Sequence, residues 1–151
     1  MKILEGKNVL IVGVANKHSI AAGIAESMSE NGANVALTYQ NDRLKGNVEK
    51  LGQEWGVKTY LPCDVSSDDE IKQTFSDLSS EWDGLDAVIH AVGFAPREEL
   101  DGEFVDVTSR EGFQIAHDVS SYSFIGLAKE AKQLMKGRNG CRDLYPLRCY
   151  I

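Results

Sequence analysis

Cysteine is scarce and unpatterned in this chain. Cys63, Cys141 and Cys149 make an odd count without metal-ligand spacing, which argues against a disulfide framework and fits reduced thiols. His18, His90 and His117 are scattered, so no metal site is expected. No apolar run approaches the length needed to span a bilayer, and residues 1–6 lack the apolar core of a signal peptide. A membrane partner is therefore not expected, and a cytoplasmic address is. Basic excess is missing as well. Lys and Arg number 16 against 23 Asp and Glu, a net charge of −7, and no basic stripe offers a nucleic-acid surface. Internal repeats and low-complexity segments are absent, so 151 residues read as one domain with a substantial core.

What is present centres on residues 7–25. Val9, Leu10, Ile11 and Val12 form an unbroken apolar run, as in a strand buried on both faces. A loop opens at Gly13, and a helix follows in which Ile20, Ile24 and Met28 fall on one stripe beside Ala21 and Ala25. On this spacing Ile20 is expected to pack in the core. A strand, a glycine loop and a helix whose free amides face that loop make an anion site, because unsatisfied donors and the helix dipole both favour phosphate. The usual three-glycine fingerprint is incomplete, since Ala15 and His18 stand where glycines would be required. The motif alone leaves open a plain strand-to-helix turn.

Further along, residues 34–39 read as a second strand and 43–55 as a charged helix. A third strand is expected over 57–61. Ser67 with Glu70 matches a capping box at the head of a helix that turns Ile71, Phe75 and Leu78 inward and ends near Trp82. A fourth strand covers 85–90, followed by a polar connection over 97–106. Thr108 with Glu111 is a second capping-box match, opening one long helix through Phe113, Ala116, Val119, Phe124 and Leu127 to Met135. Strand–helix alternation with short connections implies an α/β fold, a doubly wound parallel sheet of Rossmann type with helices on both faces. In such sheets ligands lie beyond the carboxyl ends of the strands, where strand order reverses. That rule selects residues 13–20, Gln40, Asp64 with Val65, and Val92 with Gly93.

Those strand ends carry a family resemblance. Gly13-Val14 is followed by Ser19-Ile20-Ala21 and Gly23-Ile24-Ala25, then by Thr38-Tyr39-Gln40-Asn41-Asp42, Cys63-Asp64-Val65 and Gly93-Phe94-Ala95-Pro96. Ile115-Ala116-His117-Asp118 and Ser120-Ser121-Tyr122-Ser123-Phe124 complete the set. From about Gly6 to Gly140 the chain resembles the N-terminal part of bacterial enoyl-acyl carrier protein reductases, a divergent branch of the short-chain dehydrogenase/reductase superfamily. The resemblance implies NADH binding, with Gly13 toward the adenosine end and Ser19 and Ile20 at the pyrophosphate. Gln40 would lie near the adenosine ribose, Asp64 and Val65 at the adenine, and Val92 and Gly93 beside ribose and nicotinamide. Ala95 would touch the acyl substrate. It further implies an enoyl thioester on acyl carrier protein as partner, reduced in fatty-acid biosynthesis by an enzyme that is commonly a homotetramer.

Gln40 bears on the cofactor. A neutral amide can bond a ribose hydroxyl where other sites place an acid, whereas Arg43 and Lys45 leave NADPH open; NADH is favoured. In the family, hydride transfer to the enoyl β carbon is followed by protonation, served by a tyrosine and a lysine seven positions apart on one helix. Tyr122 and Lys129 have that spacing but fall on the helix after the fourth strand, one helix too early, and are read as a decoy. No catalytic residue is therefore assigned. After Gly140 the eleven residues 141–151 depart from the family pattern, and Tyr145 has non-matching neighbours. Residues 1–140 are expected to form the dinucleotide-binding domain, lacking the later strands, and 141–151 a tail produced by a frameshift or truncation. On this reading the chain binds cofactor weakly and does not turn over. The alternatives are a non-catalytic NAD(H)-binding module and a related short-chain reductase with another substrate.

Overall fold

A computed structural model describes residues 2–138. Expectations for Cys141, Tyr145, Cys149 and the change after Gly140 lie outside the described residues. Four strands, β1 (Asn8–Val12), β2 (Asn34–Tyr39), β3 (Thr59–Pro62) and β4 (Ala87–His90), pair in parallel in the order β3-β2-β1-β4. The helices are α1 (Ile20–Glu30), α2 (Asp42–Glu54), α3 (Asp68–Glu81), the short α4 (Phe104–Val107), α5 (Arg110–His117) and α6 (Ser123–Leu134). A π-turn, Asp118–Tyr122, joins α5 to α6, and a 3-10 turn, Arg97–Glu99, precedes α4. Strand order reverses between β1 and β4, as a doubly wound sheet requires.

Alternation along β1 divides the core. Val9 and Ile11 face α1 and α2, packing with Ala21, Ala25, Val48 and Leu51. Leu10 and Val12 face α3 and α6, packing with Ile71, Phe75, Leu78, Leu127 and Ala131. Each fully buried aliphatic side chain on these faces contributes about 1.5–3 kcal/mol of transfer free energy. Every residue of β1 is buried, whereas the four residues of β4 are all half-buried at the sheet's edge. Among the described residues no helix is long and apolar enough to cross a membrane.

Three local expectations change. Ile20 is not core: it is 79% exposed, while Ala21, Ala22 and Ala25 carry the contact with the sheet. As the first residue after the Ser19 cap, Ile20 projects past the sheet, and alanines let the helix axis approach the strands. At the second capping box Ser109, not Thr108, is the cap, its hydroxyl accepting from the Gly112 amide at 2.9 Å. The carboxylate that answers it comes from Glu99, which accepts from the Ser109 amide at 2.9 Å. Finally, the single long helix is interrupted by the π-turn.

At the amino end of the sheet, a buried ionic bracket ties β4 to β1. The Asp86 side chain, 9% exposed, accepts from the Asn8 amide, the Lys7 ammonium and the Arg138 guanidinium. Arg138 also pairs with Asp83. Burial alone would raise the Asp86 carboxyl, but these donors outweigh it and hold it below the ordinary carboxylate range.

Candidate functional site

Each strand delivers its carboxyl end to one cleft of about 410 Å³. Gly13, Val14 and Ala15 come from the end of β1, Gln40 from β2, Asp64, Val65 and Ser66 from β3, and Val92, Gly93 and Phe94 from β4. Six of the residues singled out from the sequence, Gly13, Gln40, Asp64, Val65, Val92 and Gly93, thus share this surface. Ser19, Ile20 and Ala95 are not among its lining residues.

Gly13 is required where it stands. Its φ is +114°, and a Cβ there would meet the Ala91 carbonyl oxygen at 2.2 Å. Here the ends of β1 and β4 run side by side, with the Ala91 amide donating to the Val12 carbonyl at 2.9 Å. Gly93 differs: a Cβ would have nothing within 4 Å and its φ is not positive. The fold does not explain that glycine, and its open side belongs to the cleft.

The loop from Gly13 to α1 is closed on itself. Asn16 accepts from the His18 amide through Oδ1 at 2.8 Å, and its carbonyl accepts from both the amide and the hydroxyl of Ser19. The Ser19 hydroxyl in turn accepts from the Ala22 amide at 3.3 Å. Asn47 of α2 donates to the Ala15 carbonyl at 2.7 Å, tying the loop from outside. The amides of Ile20 and Ala21 have no partner among the described residues, so the start of α1 retains open donors for an anion.

Across the cleft, Asp64 is pre-arranged. Its Oδ1 accepts from the Ser66 amide and hydroxyl, and its Oδ2 from Gln40 Nε2 at 3.3 Å. Partial burial raises this carboxyl, but the Ser66 and Gln40 donors prevail and lower it, so it is a carboxylate at neutral pH. The first capping box is half rewired to the same end: Ser67 caps α3, while Glu70 accepts from the Asp64 amide at 2.8 Å rather than from Ser67. Cys63 lies buried beneath, and burial is the chief cause that pushes its thiol up, leaving it protonated.

This arrangement accompanies a sequence match over most of the chain. Residues 13–141 match the family model for enoyl-(acyl carrier protein) reductase. The chain belongs to that family. It is 49% identical to the NADH enoyl-acyl-carrier-protein reductase of Neisseria meningitidis over 92% of its own length and 53% of that protein. The Escherichia coli enzyme of the same name is 47% identical over 89% of this chain and 52% of its own. Among solved structures, the Aquifex aeolicus reductase superposes with a TM-score of 0.87 at 47% identity, covering 91% of this chain and 54% of that one. The Anaplasma phagocytophilum reductase, solved with NAD, gives 0.83 at 44% identity, covering 87% and 50%. The chain spans about half the length of the family members it matches.

Within the family frame, Tyr122 lies half-exposed on the π-turn and Lys129 is exposed on α6, and neither lines the cleft. Reading the sequence missed Leu44, Ser66, Ile115 and Val119 as lining residues and Asn47 as the outer tie of the loop. Asn47 carries no local signal, being one polar residue on a polar helix.

Proposed function

We propose that this chain carries the nucleotide cleft of an NADH-dependent enoyl-acyl carrier protein reductase, the full-length protein reducing the enoyl thioester in fatty-acid biosynthesis. Residues 1–140 form the dinucleotide-binding domain on this reading, with 141–151 as a tail. One observation carries it: the carboxyl ends of all four strands converge on one cleft at the switch point, beside a helix start with open amides. Ser19 and Ile20 sit at that helix start, suited to the pyrophosphate, and Gly13 lies toward the adenosine end. Asp64 and Val65 suit the adenine, and Val92 and Gly93 the ribose and nicotinamide. Ala95, just past the cleft, is suited to the acyl chain.

Gln40 favours NADH. Its Nε2 donates to Asp64 and its Oε1 can accept from a ribose hydroxyl, while the neutral amide brings no positive charge to a 2′-phosphate. Lys45 is occupied over the Tyr39 ring at 5.6 Å and near Glu49, so it is drawn away from a phosphate-binding role. Bound NADH would supply the hydride. Because no Tyr, Lys or His lines the cleft among the described residues, binding without turnover by this 151-residue chain is the second reading. The exposed apolar side chains of Phe104, Val105, Phe113 and Ile125 support self-association, consistent with a tetramer, and the family reading carries a cytoplasmic site of action with it.

The test is titration of the intact chain with NADH, followed by nicotinamide fluorescence, with NADPH in parallel. Saturable NADH binding, weaker for NADPH and lost in Asp64→Ala, is expected. A folded chain that binds neither nucleotide would overturn the reading.

A further inference from the structure

The 92–95 segment forms the β4 side of the cleft, yet little of its own holds it in place. Val92 packs against the core, but Phe94 is 53% exposed and Gly93 is open to solvent, so packing anchors only the start of the segment. Among the described residues, the hydrogen bonds that the 92–95 backbone makes all go to one side chain. The Ser120 hydroxyl accepts from the Phe94 amide at 3.0 Å and donates to the Phe94 carbonyl at 3.2 Å. One side chain thereby satisfies both backbone groups of a residue 26 positions away, a role that needs a group able to donate and accept at once.

The π-turn is what brings it there. Its extra residue shifts the phase of α6 against α5, so the same turn reaches the loop with Ser120 and the strand with Ser123. Ser123 is fully buried, donates to the Val119 carbonyl at 2.7 Å and lies within hydrogen-bond distance of His90 Nε2 at 2.8 Å. Burial lowers the His90 imidazole, so it is neutral at pH 7. The two serines grip the segment at His90, where it leaves the sheet, and at Phe94, on the cleft wall.

We propose that Ser120 is a positioning residue for the cleft, a clip that holds the 92–95 backbone in the conformation that receives the nucleotide. The proposal rests on the nucleotide reading above, and its test separates the two. Hydrogen exchange at the Phe94 amide is measured first, without ligand, in the intact wild-type chain and in Ser120→Ala, Ser120→Thr and Ser121→Ala variants. Exchange at Phe94 is expected to rise roughly tenfold in Ser120→Ala, in line with the loss of a pair of hydrogen bonds, and to return toward wild type in Ser120→Thr. Ser121→Ala, which removes no bond of this clip, is expected to leave it unchanged. NADH affinity should fall in the same order, roughly three- to tenfold in Ser120→Ala, with recovery in Ser120→Thr.

Equal Phe94 exchange in wild type and Ser120→Ala overturns the proposal whether or not nucleotide binds. Unchanged NADH affinity in Ser120→Ala, where the wild type binds, overturns it while sparing the nucleotide reading. A wild-type chain that binds no NADH fells the nucleotide reading and the ligand-positioning role with it; protection at Phe94 would then report a structural tie alone.

Discussion

Replacing Gly13 with alanine puts the close approach of the β1 and β4 ends to the sharpest test. The residue holds φ +114°, where a side chain is strained by about 1–3 kcal/mol. Its added Cβ would sit 2.2 Å from the Ala91 carbonyl oxygen and 2.6 Å from the carbonyl carbon. The first distance is roughly 1 Å inside ordinary van der Waals contact, and backbone cannot swing aside as a flexible side chain can. Forcing the strands apart adds about 1–3 kcal/mol of overpacking and lengthens the bond from the Ala91 amide to the Val12 carbonyl. The total, about 2–6 kcal/mol, is a large share of the roughly 5–15 kcal/mol that holds a domain folded. Near 150 residues each kcal/mol moves the midpoint by about 2–4 °C, so a loss of roughly 5–20 °C is expected. Thermal melting by circular dichroism reads the fold, and NADH titration below the midpoint reads the cleft. A Gly13→Ala chain that melts within about 2 °C of wild type and keeps its affinity would refute the reasoning.

Gly93→Ala is the counterpart, with open space around the new methyl, so its melting point should hold while NADH affinity drops; a matching fall in stability would mean that the fold, not a ligand, needs this glycine. Gln40→Arg places a positive charge where a neutral amide stood, and the NADPH-to-NADH affinity ratio should rise; an unchanged ratio would remove Gln40 from cofactor choice. The Asp86 bracket predicts an acid limb in stability. Because the folded carboxyl lies below the unfolded value of about 3.9, its contribution is complete above that pH and is lost as pH falls through the depressed folded value. Asp86→Asn should lower the melting point at neutral pH and flatten the acid limb below about pH 4; parallel curves for the two chains would contradict the bracket.

Hydrophobic pattern made β2 legible to the residue, because each of its positions from Val35 to Tyr39 is buried. It misplaced β3 because Val57, though buried, donates its amide to Gly52 and closes the end of α2 before the strand begins. Asn8 begins β1 despite its polarity, since its side chain bonds the Gly84 carbonyl and the Asn34 amide, partners remote in sequence. The π-turn left no trace, because Ile115, Val119 and Tyr122 keep ordinary helical steps of four and three and the pattern reads as one helix. For the cleft, strand-end positions were readable because parallel topology fixes where ligands go. The ties that shape it, Ser120 to Phe94 and Asn47 to Ala15, were not, since each joins segments that only the folded sheet brings together.

That dependence has a kinetic meaning. β1, β2 and β3 can assemble from neighbouring segments, but β4 joins only when residues some 78 positions apart, such as Asn8 and Asp86, come together. β4 and α6 are the last described elements to join, and opening them takes one wall of the cleft away. A nucleotide lodged between Gly13 and Gly93 would therefore act as a late staple between the early and late halves of the chain, slowing the detachment of β4 and α6.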